Sequence, residues 1–152
     1  MNPFYQKIGI FLHFFLKPVV YFRLNKSIRV RVIICYQDQI LLTKTWLSNG
    51  KWSLPGGGTK DQEDLTQTAL REIQEETGVK LNASSLVALP DYLQKYLKFC
   101  IIQKIFKVNL KYRPVIQRQL YEISDIGWIK IQELNNSNTS IPTLDILSQL
   151  SN

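Results

Sequence analysis

From Ser27 onward apolar and polar positions alternate. Ile28, Val30 and Val32 are separated by Arg29 and Arg31, and the β-prone run continues through Ile33 to Tyr36. A period of two sends successive side chains to opposite faces, so this segment predicts a strand. Gln37-Asp38-Gln39 reads as a turn and Ile40-Leu41-Leu42-Thr43 as a second strand, together a hairpin. A polar loop, Ser48 to Lys51, precedes a short strand around Trp52-Ser53-Leu54, which runs into Pro55 and three glycines, Gly56 to Gly58. Leu97 to Leu110 is a long β-prone run, densest from Phe99 to Val108, and Ile126 to Ile131 is a further strand around Trp128. Asn135 to Ser140 forms a polar loop, after which Pro142 opens a short helix carrying Leu144, Ile146, Leu147 and Leu150. Strands and helices alternate irregularly and no repeat is visible. That pattern predicts an α/β fold, a mixed sheet with helices on its faces.

Residues 64–77 switch to the helical period. Asp64 stands as N-cap with Gln67 three residues on, a capping box, and Gly78 sits where a left-handed residue closes a helix. Leu65, Ala69, Leu70 and Ile73 form the apolar face. Glu72, Glu75 and Glu76 fall at i, i+3 and i+4 and share one patch, with Glu76 projecting nearly between Leu65 and Ala69. Arg71 is expected to point away from Glu75.

The first 24 residues are aromatic and apolar, with Lys7, Lys17 and Arg23 interspersed. The charge-free run from Ile8 to Leu16 falls far short of the ~20 residues of a spanning helix, and Lys17-Pro18 interrupts it. The expectation is a helix at about 4–24 packing on its own domain. A homodimer contact or a membrane-surface helix are the alternatives. At 152 residues and 17.7 kDa the chain is expected to be one domain, 1–152. With 45% apolar and 20% charged residues it is no disordered segment. Cys35 and Cys100 lie in apolar stretches without a CxxC, so reduced thiols and a cytoplasmic location are expected. His13 is the only histidine, which excludes a His-rich zinc site.

Charge sharpens this picture. The net charge is +7, yet residues 52–82 hold six acids (Asp61, Glu63, Asp64, Glu72, Glu75, Glu76) against Lys60, Arg71 and Lys80. A basic surface favours anionic partners without choosing among them. The acidic island is more specific. Glutamates crowded at i, i+4 repel by about 0.2–0.5 kcal/mol per pair. The negative end of the helix dipole adds about 0.3–1 kcal/mol. Burial beside the core makes an unpaired carboxylate costlier still. A hard divalent cation removes all three penalties, since several carboxylate oxygens bind it directly. Gly56 to Gly58 let the backbone approach a ligand and offer a carbonyl to a metal. They match neither GxxxxGK nor GxGxxG.

Gly57, five residues, Glu63, seven residues, then Arg71-Glu72-Ile73-Gln74-Glu75-Glu76-Thr77-Gly78-Val79 resembles the Nudix (MutT-like) hydrolase signature GX5EX7REUXEEXGU, U being aliphatic, at every fixed position. The resemblance implies a Nudix fold, an α/β/α sandwich with a mixed β-sheet and the signature as loop–helix–loop. It also implies a pyrophosphohydrolase that splits a phosphoanhydride bond in a nucleoside diphosphate linked to another moiety, with magnesium, or alternatively manganese. Glu63, Arg71, Glu72, Glu75 and Glu76 become the catalytic set. The metal ligands implied are Glu72, Glu75, Glu76 and the Gly56 carbonyl, with Glu63 supporting a water or second ion and Arg71 orienting a glutamate. Glu122, near the Trp128 strand, is the added acid expected from a distant loop, with Asp125 in reserve. Glu72 is the first choice of general base. The expected partner is a small-molecule nucleotide rather than nucleic acid. Trp46, Trp52, Tyr92 and Tyr96 are candidates to stack a base, and Lys111 to Gln119, with Arg113 and Arg118, to line a phosphate path; none is assigned. The alternative is a catalytically silent Nudix domain that binds or senses a nucleotide, disfavoured by the intact acids.

Overall fold

The computed structural model describes residues 28–96 and 99–150. The helix expected at 4–24, its dimer or membrane alternatives and His13 therefore lie outside the described residues. Five strands form one mixed sheet in the order β3-β4-β1-β2-β5. They are β1 (Ile28–Tyr36), β2 (Gln39–Thr45), β3 (Val87–Tyr96), β4 (Phe99–Asn109) and β5 (Ile123–Lys130). β1 and β2 make the expected hairpin, turning where Gln37 takes a left-handed φ of 53°. β1 pairs in parallel with β4, in register from Ile28↔Ile102 to Cys35↔Asn109.

The alternation along β1 divides the core between two faces. Val30, Val32 and Ile34 face the first helix, α1 (Leu65–Thr77), and pack with Ala69, Ile73, Val79, Phe106, Val108 and Trp128. Ile33 turns to the second helix, α2 (Ile141–Ser148), and joins Ile40, Leu42, Leu54, Ile105, Ile146 and Leu147. Each such side chain contributes about 1.5–3 kcal/mol when fully buried, so both helices are held by apolar area. The result is the expected α/β/α sandwich. Among the described residues no helix is long and apolar enough to cross a membrane.

Three elements differ from expectation. β3 went unread because Pro90 and Asp91 interrupt its pattern. It lies at the sheet edge, and its register shifts between Leu89 and Tyr92, so the prolyl residue falls in a bulge. Trp52 to Leu54 is not a full strand; it makes single bridges, Ser53 to Thr43 and Trp52 to Thr139. Leu150 lies beyond the end of α2 and is exposed.

Candidate active site

The signature is positioned by β1. Past the hairpin end, the glycine strip takes β2's place beside β1. Val32 N–H donates to the Pro55 carbonyl at 3.0 Å and Val30 N–H to that of Gly57 at 2.8 Å, and Arg29 bridges to Gly58. Glycine is required twice. Gly56 has φ 133°, and a Cβ there would stand 2.2 Å from the Val30 oxygen. A Cβ on Gly57 would stand 2.5 Å from the Glu72 carboxylate, so that side chain lies directly against the loop.

α1 brings the acids to the loop. Its capping box is made, Gln67 N–H to Asp64 Oδ1 at 2.7 Å and Asp64 N–H to Gln67 Oε1 at 3.1 Å. Gly78 ends it at φ 71°, its N–H on the Gln74 carbonyl at 3.0 Å. The loop after β4 covers this end, with Gln117 N–H donating to the Thr77 carbonyl at 2.8 Å.

Arg71 gathers three glutamates. Its Nε and Nη2 donate to Glu63 at 2.7 and 3.0 Å, a bidentate pair. Nη1 donates to Glu72 at 2.7 Å and Glu75 at 3.0 Å, and Nη2 also reaches the Gly58 carbonyl at 3.0 Å. Arg71 thus points toward Glu75, not away from it. Four residues advance the helix by 40° beyond a full turn, so the two share a face. These bonds tie Glu63, Glu72 and Glu75 to one guanidinium. Glu63 also accepts the Lys60 N–H at 3.1 Å and the Thr68 hydroxyl at 3.0 Å. The Arg71 hydrogen bonds, chiefly, hold its carboxyl down at about 2.

Glu76 has the opposite surroundings. It is 8% exposed, and its Oε2 accepts the Gly56 N–H at 3.0 Å. Burial pushes its pKa up to about 7, the Glu72 and Glu122 carboxylates adding to the rise while Arg31 and the Gly56 N–H oppose it. Arg31 Nη1 donates to the Gly56 carbonyl. Gly56 is therefore clamped from both ends, by Glu76 at its N–H and Arg31 at its carbonyl. Arg31 was read only as a polar position of an alternating strand. The available signal was a cation on a central strand, where apolar residues are the rule.

Glu122 is exposed but close enough to Glu76 to perturb it across the loop, whereas the reserve, Asp125, pairs with Lys44 at 3.5 Å. Among the described residues no three His, Cys, Asp or Glu side chains converge in a metal-holding geometry. The guanidinium of Arg71 lies among Glu63, Glu72 and Glu75. The donor set nonetheless suits a hard cation: Glu72 and Glu122 press negative charge on buried Glu76, and all three offer carboxylate oxygens. Of the aromatic candidates, Trp52 carries the Lys44 ammonium 4.1 Å from its ring centroid and Trp46 Nε1 donates to the Leu120 carbonyl at 3.4 Å. Tyr92 donates its hydroxyl to Asp145 at 2.7 Å. Arg113 lies 5.8 Å over Trp128, and Arg118 bonds the Ser124 carbonyl.

Residues 26–148 match the family model of the NUDIX domain. This chain belongs to the Nudix hydrolase family. Among curated relatives, Nudix hydrolase 6 of Arabidopsis thaliana is 34% identical over 57% of this chain and 31% of its own length. An RNA pyrophosphohydrolase of Dinoroseobacter shibae is 39% identical over 50% of each, so the chain spans half or less of both proteins. The nucleoside triphosphatase NudI of Klebsiella pneumoniae is 29% identical over 80% of this chain and 96% of its own. Among solved structures, a Nudix MutT hydrolase of Burkholderia pseudomallei superposes with TM-score 0.72 at 20% identity, covering 82% of this chain and 98% of that one. The Nudix domain of Shewanella oneidensis NrtR, complexed with ADP ribose, reaches 0.72 at 20% identity over 83% and 86%. A bifunctional NMN adenylyltransferase/ADP ribose pyrophosphatase of Francisella tularensis, complexed with AMP and manganese, reaches 0.67 at 20% identity over 83% and 41%. At these identities the structures establish the Nudix fold alone.

Proposed function

We propose that this Nudix domain hydrolyses a phosphoanhydride bond in a nucleoside diphosphate linked to another moiety, with a divalent cation, magnesium first and manganese second. The observation that carries the reading is Glu76, a buried glutamate fixed by the Gly56 N–H and crowded by two further carboxylates on a family signature. The unpaired Cys35 and Cys100 support a reducing, cytoplasmic setting.

Glu72, Glu75 and Glu76, with Glu122 and the Gly56 carbonyl, would hold the cation. Bound there, it would screen the phosphate oxygens and acidify the attacking water. The chain's own groups prepare that event. Gly56 holds Glu76 in place, and Arg71 fixes Glu72 through Oε1. Glu72 is the proposed base, taking the water's proton on its other oxygen. Glu63 acts through Arg71 and locks the loop to the helix.

The test is phosphate release from nucleoside triphosphates, dinucleoside polyphosphates, nucleotide sugars and dinucleotide cofactors, with and without magnesium. Turnover that needs the metal and is lost in Glu76→Gln supports the reading. Tight nucleotide binding with no turnover anywhere would replace it by the silent, sensing domain.

A further inference from the structure

Arg31 places a permanent charge on β1, the central strand of the sheet, with the buried Ile105 as its register partner and the buried Ile33 two residues on. Alternation puts it on the α2 face with Ile33, half-buried at the edge of that core. A charge so placed costs desolvation and is rare without a specific use. Gly56 lies opposite it in the strip, since Val30 bonds Gly57 and Val32 bonds Pro55. The Gly56 carbonyl takes the hydrogen bond from Arg31 Nη1, and the Gly56 N–H is held by Glu76 Oε2 at 3.0 Å. Arg31 and Glu76 thus meet at one residue, and their charges attract.

The glycine strip does not need this charge to stay in place. Val30 N–H and Val32 N–H already dock it on β1, at 2.8 and 3.0 Å. The buried Gly56 carbonyl asks for one donor, and a neutral N–H would meet that need. A guanidinium is instead the planar fork that matches phosphate oxygens. We infer that Arg31 binds the diphosphate of the substrate, donating to the phosphate oxygen that shares the cation with the Gly56 carbonyl. This rests on the nucleotide hydrolase reading and adds a substrate contact to it.

The placement has two consequences of opposite sign. Nη1 is already at the Gly56 carbonyl, so a ligand oxygen that meets a cation there meets Arg31 too. Arg31 repels a bare cation from that carbonyl and competes with it for one oxygen. With a diphosphate present, Arg31 faces negative charge instead and strengthens binding. Arg31 therefore favours cation and diphosphate together over the cation alone. Arg71 is placed differently, its guanidinium being bound among Glu63, Glu72 and Glu75.

The test compares Arg31→Gln, which keeps an N–H donor without the charge, with Arg31→Lys, which keeps both. Bare manganese is titrated into the whole chain and followed by the free-ion electron paramagnetic resonance signal. Methylenediphosphonate is then titrated calorimetrically in saturating manganese. Arg31→Gln should bind bare manganese about three-fold tighter or more, and methylenediphosphonate about ten-fold weaker or more. Arg31→Lys should match the wild type toward manganese and lose less affinity for methylenediphosphonate than Arg31→Gln does. Methylenediphosphonate affinity that is unchanged in Arg31→Gln would overturn the inference. Both ligands weakened together, with a fall in Tm, would make Arg31 a structural clamp and overturn it as well. A wild type that binds neither ligand would remove the metal-dependent reading along with this one. Normal wild-type binding without the opposite shifts in Arg31→Gln would sink this inference alone.

Discussion

Two carboxylates of the signature, Glu63 just before the first helix and Glu76 in its last turn, are treated in opposite ways. Glu63 lies under Arg71 and is held ionised to about pH 2, while Glu76 is buried against Gly56 with a pKa near 7. One guanidinium neutralises Glu63 and reaches Glu72 and Glu75 as well. Glu76 receives one backbone N–H and the attraction of Arg31, insufficient against burial and two like charges. The bidentate Glu63–Arg71 pair is complete as a structural latch. Glu76 keeps an uncompensated charge whenever it is ionised, which is what the proposed cation would offset.

The largest break in this contrast is Glu76→Gln. Hydrolysis should fall by about 100-fold or more, measured as kcat/KM, since losing a group that merely orients a metal ligand costs about 10–100-fold and Glu76 is itself a proposed ligand. Stability should move the other way. The folded pKa lies above the ordinary value of 4.5, so the fold binds more protons than the unfolded chain between about 4.5 and 7 and weakens as pH rises. In metal-free protein at pH 8 the variant should be more stable by about 3 kcal/mol, read by urea unfolding.

Arg71→Met attacks the latch. Glu63 and Glu72 lose their counter-charge and Glu75 keeps only Lys60, so stability at pH 7 should drop by about 2–4 kcal/mol, with activity falling as Glu72 loses its anchor. Denaturant midpoints and kcat together separate the two effects. Gly57→Ala sharpens the contrast further. Its Cβ must displace the Glu72 carboxylate, and about ten-fold lower kcat with a near-native Tm is expected. Glu63→Gln is the mildest. Glu63 supports the fold fully above its ordinary pKa and loses that support as pH falls through about 2. The variant's acid-unfolding curve should therefore be shallower over that range, with a modest loss at neutral pH.

The helix was legible because its signals are local. The capping box, the apolar stripe and Gly78 fall within fifteen positions of one another and each acts on its neighbours. Long-range placement was not. The glycine strip became a neighbour of β1 without any side-chain pattern to announce it. Arg31 reads as an outward residue in an alternating strand until Gly56 is seen beside it. Pro90 and Asp91 hid β3, because a bulge at an edge strand suspends the period that defines strands in sequence. Arg71 was misjudged on the wheel, although the i, i+4 spacing to Glu75 was available in the sequence.

The central claim is that buried Glu76, crowded by Glu72 and Glu122, lacks positive charge, whereas Glu63 has its counter-charge in Arg71. Thermal unfolding of wild type and Glu76→Gln at pH 8, with and without magnesium, measures this directly. The account predicts a rise in Tm with magnesium for the wild type and little or none for the variant, which starts higher in the metal-free state. Equal magnesium shifts in both proteins, or a metal-free variant less stable than the wild type, would contradict it.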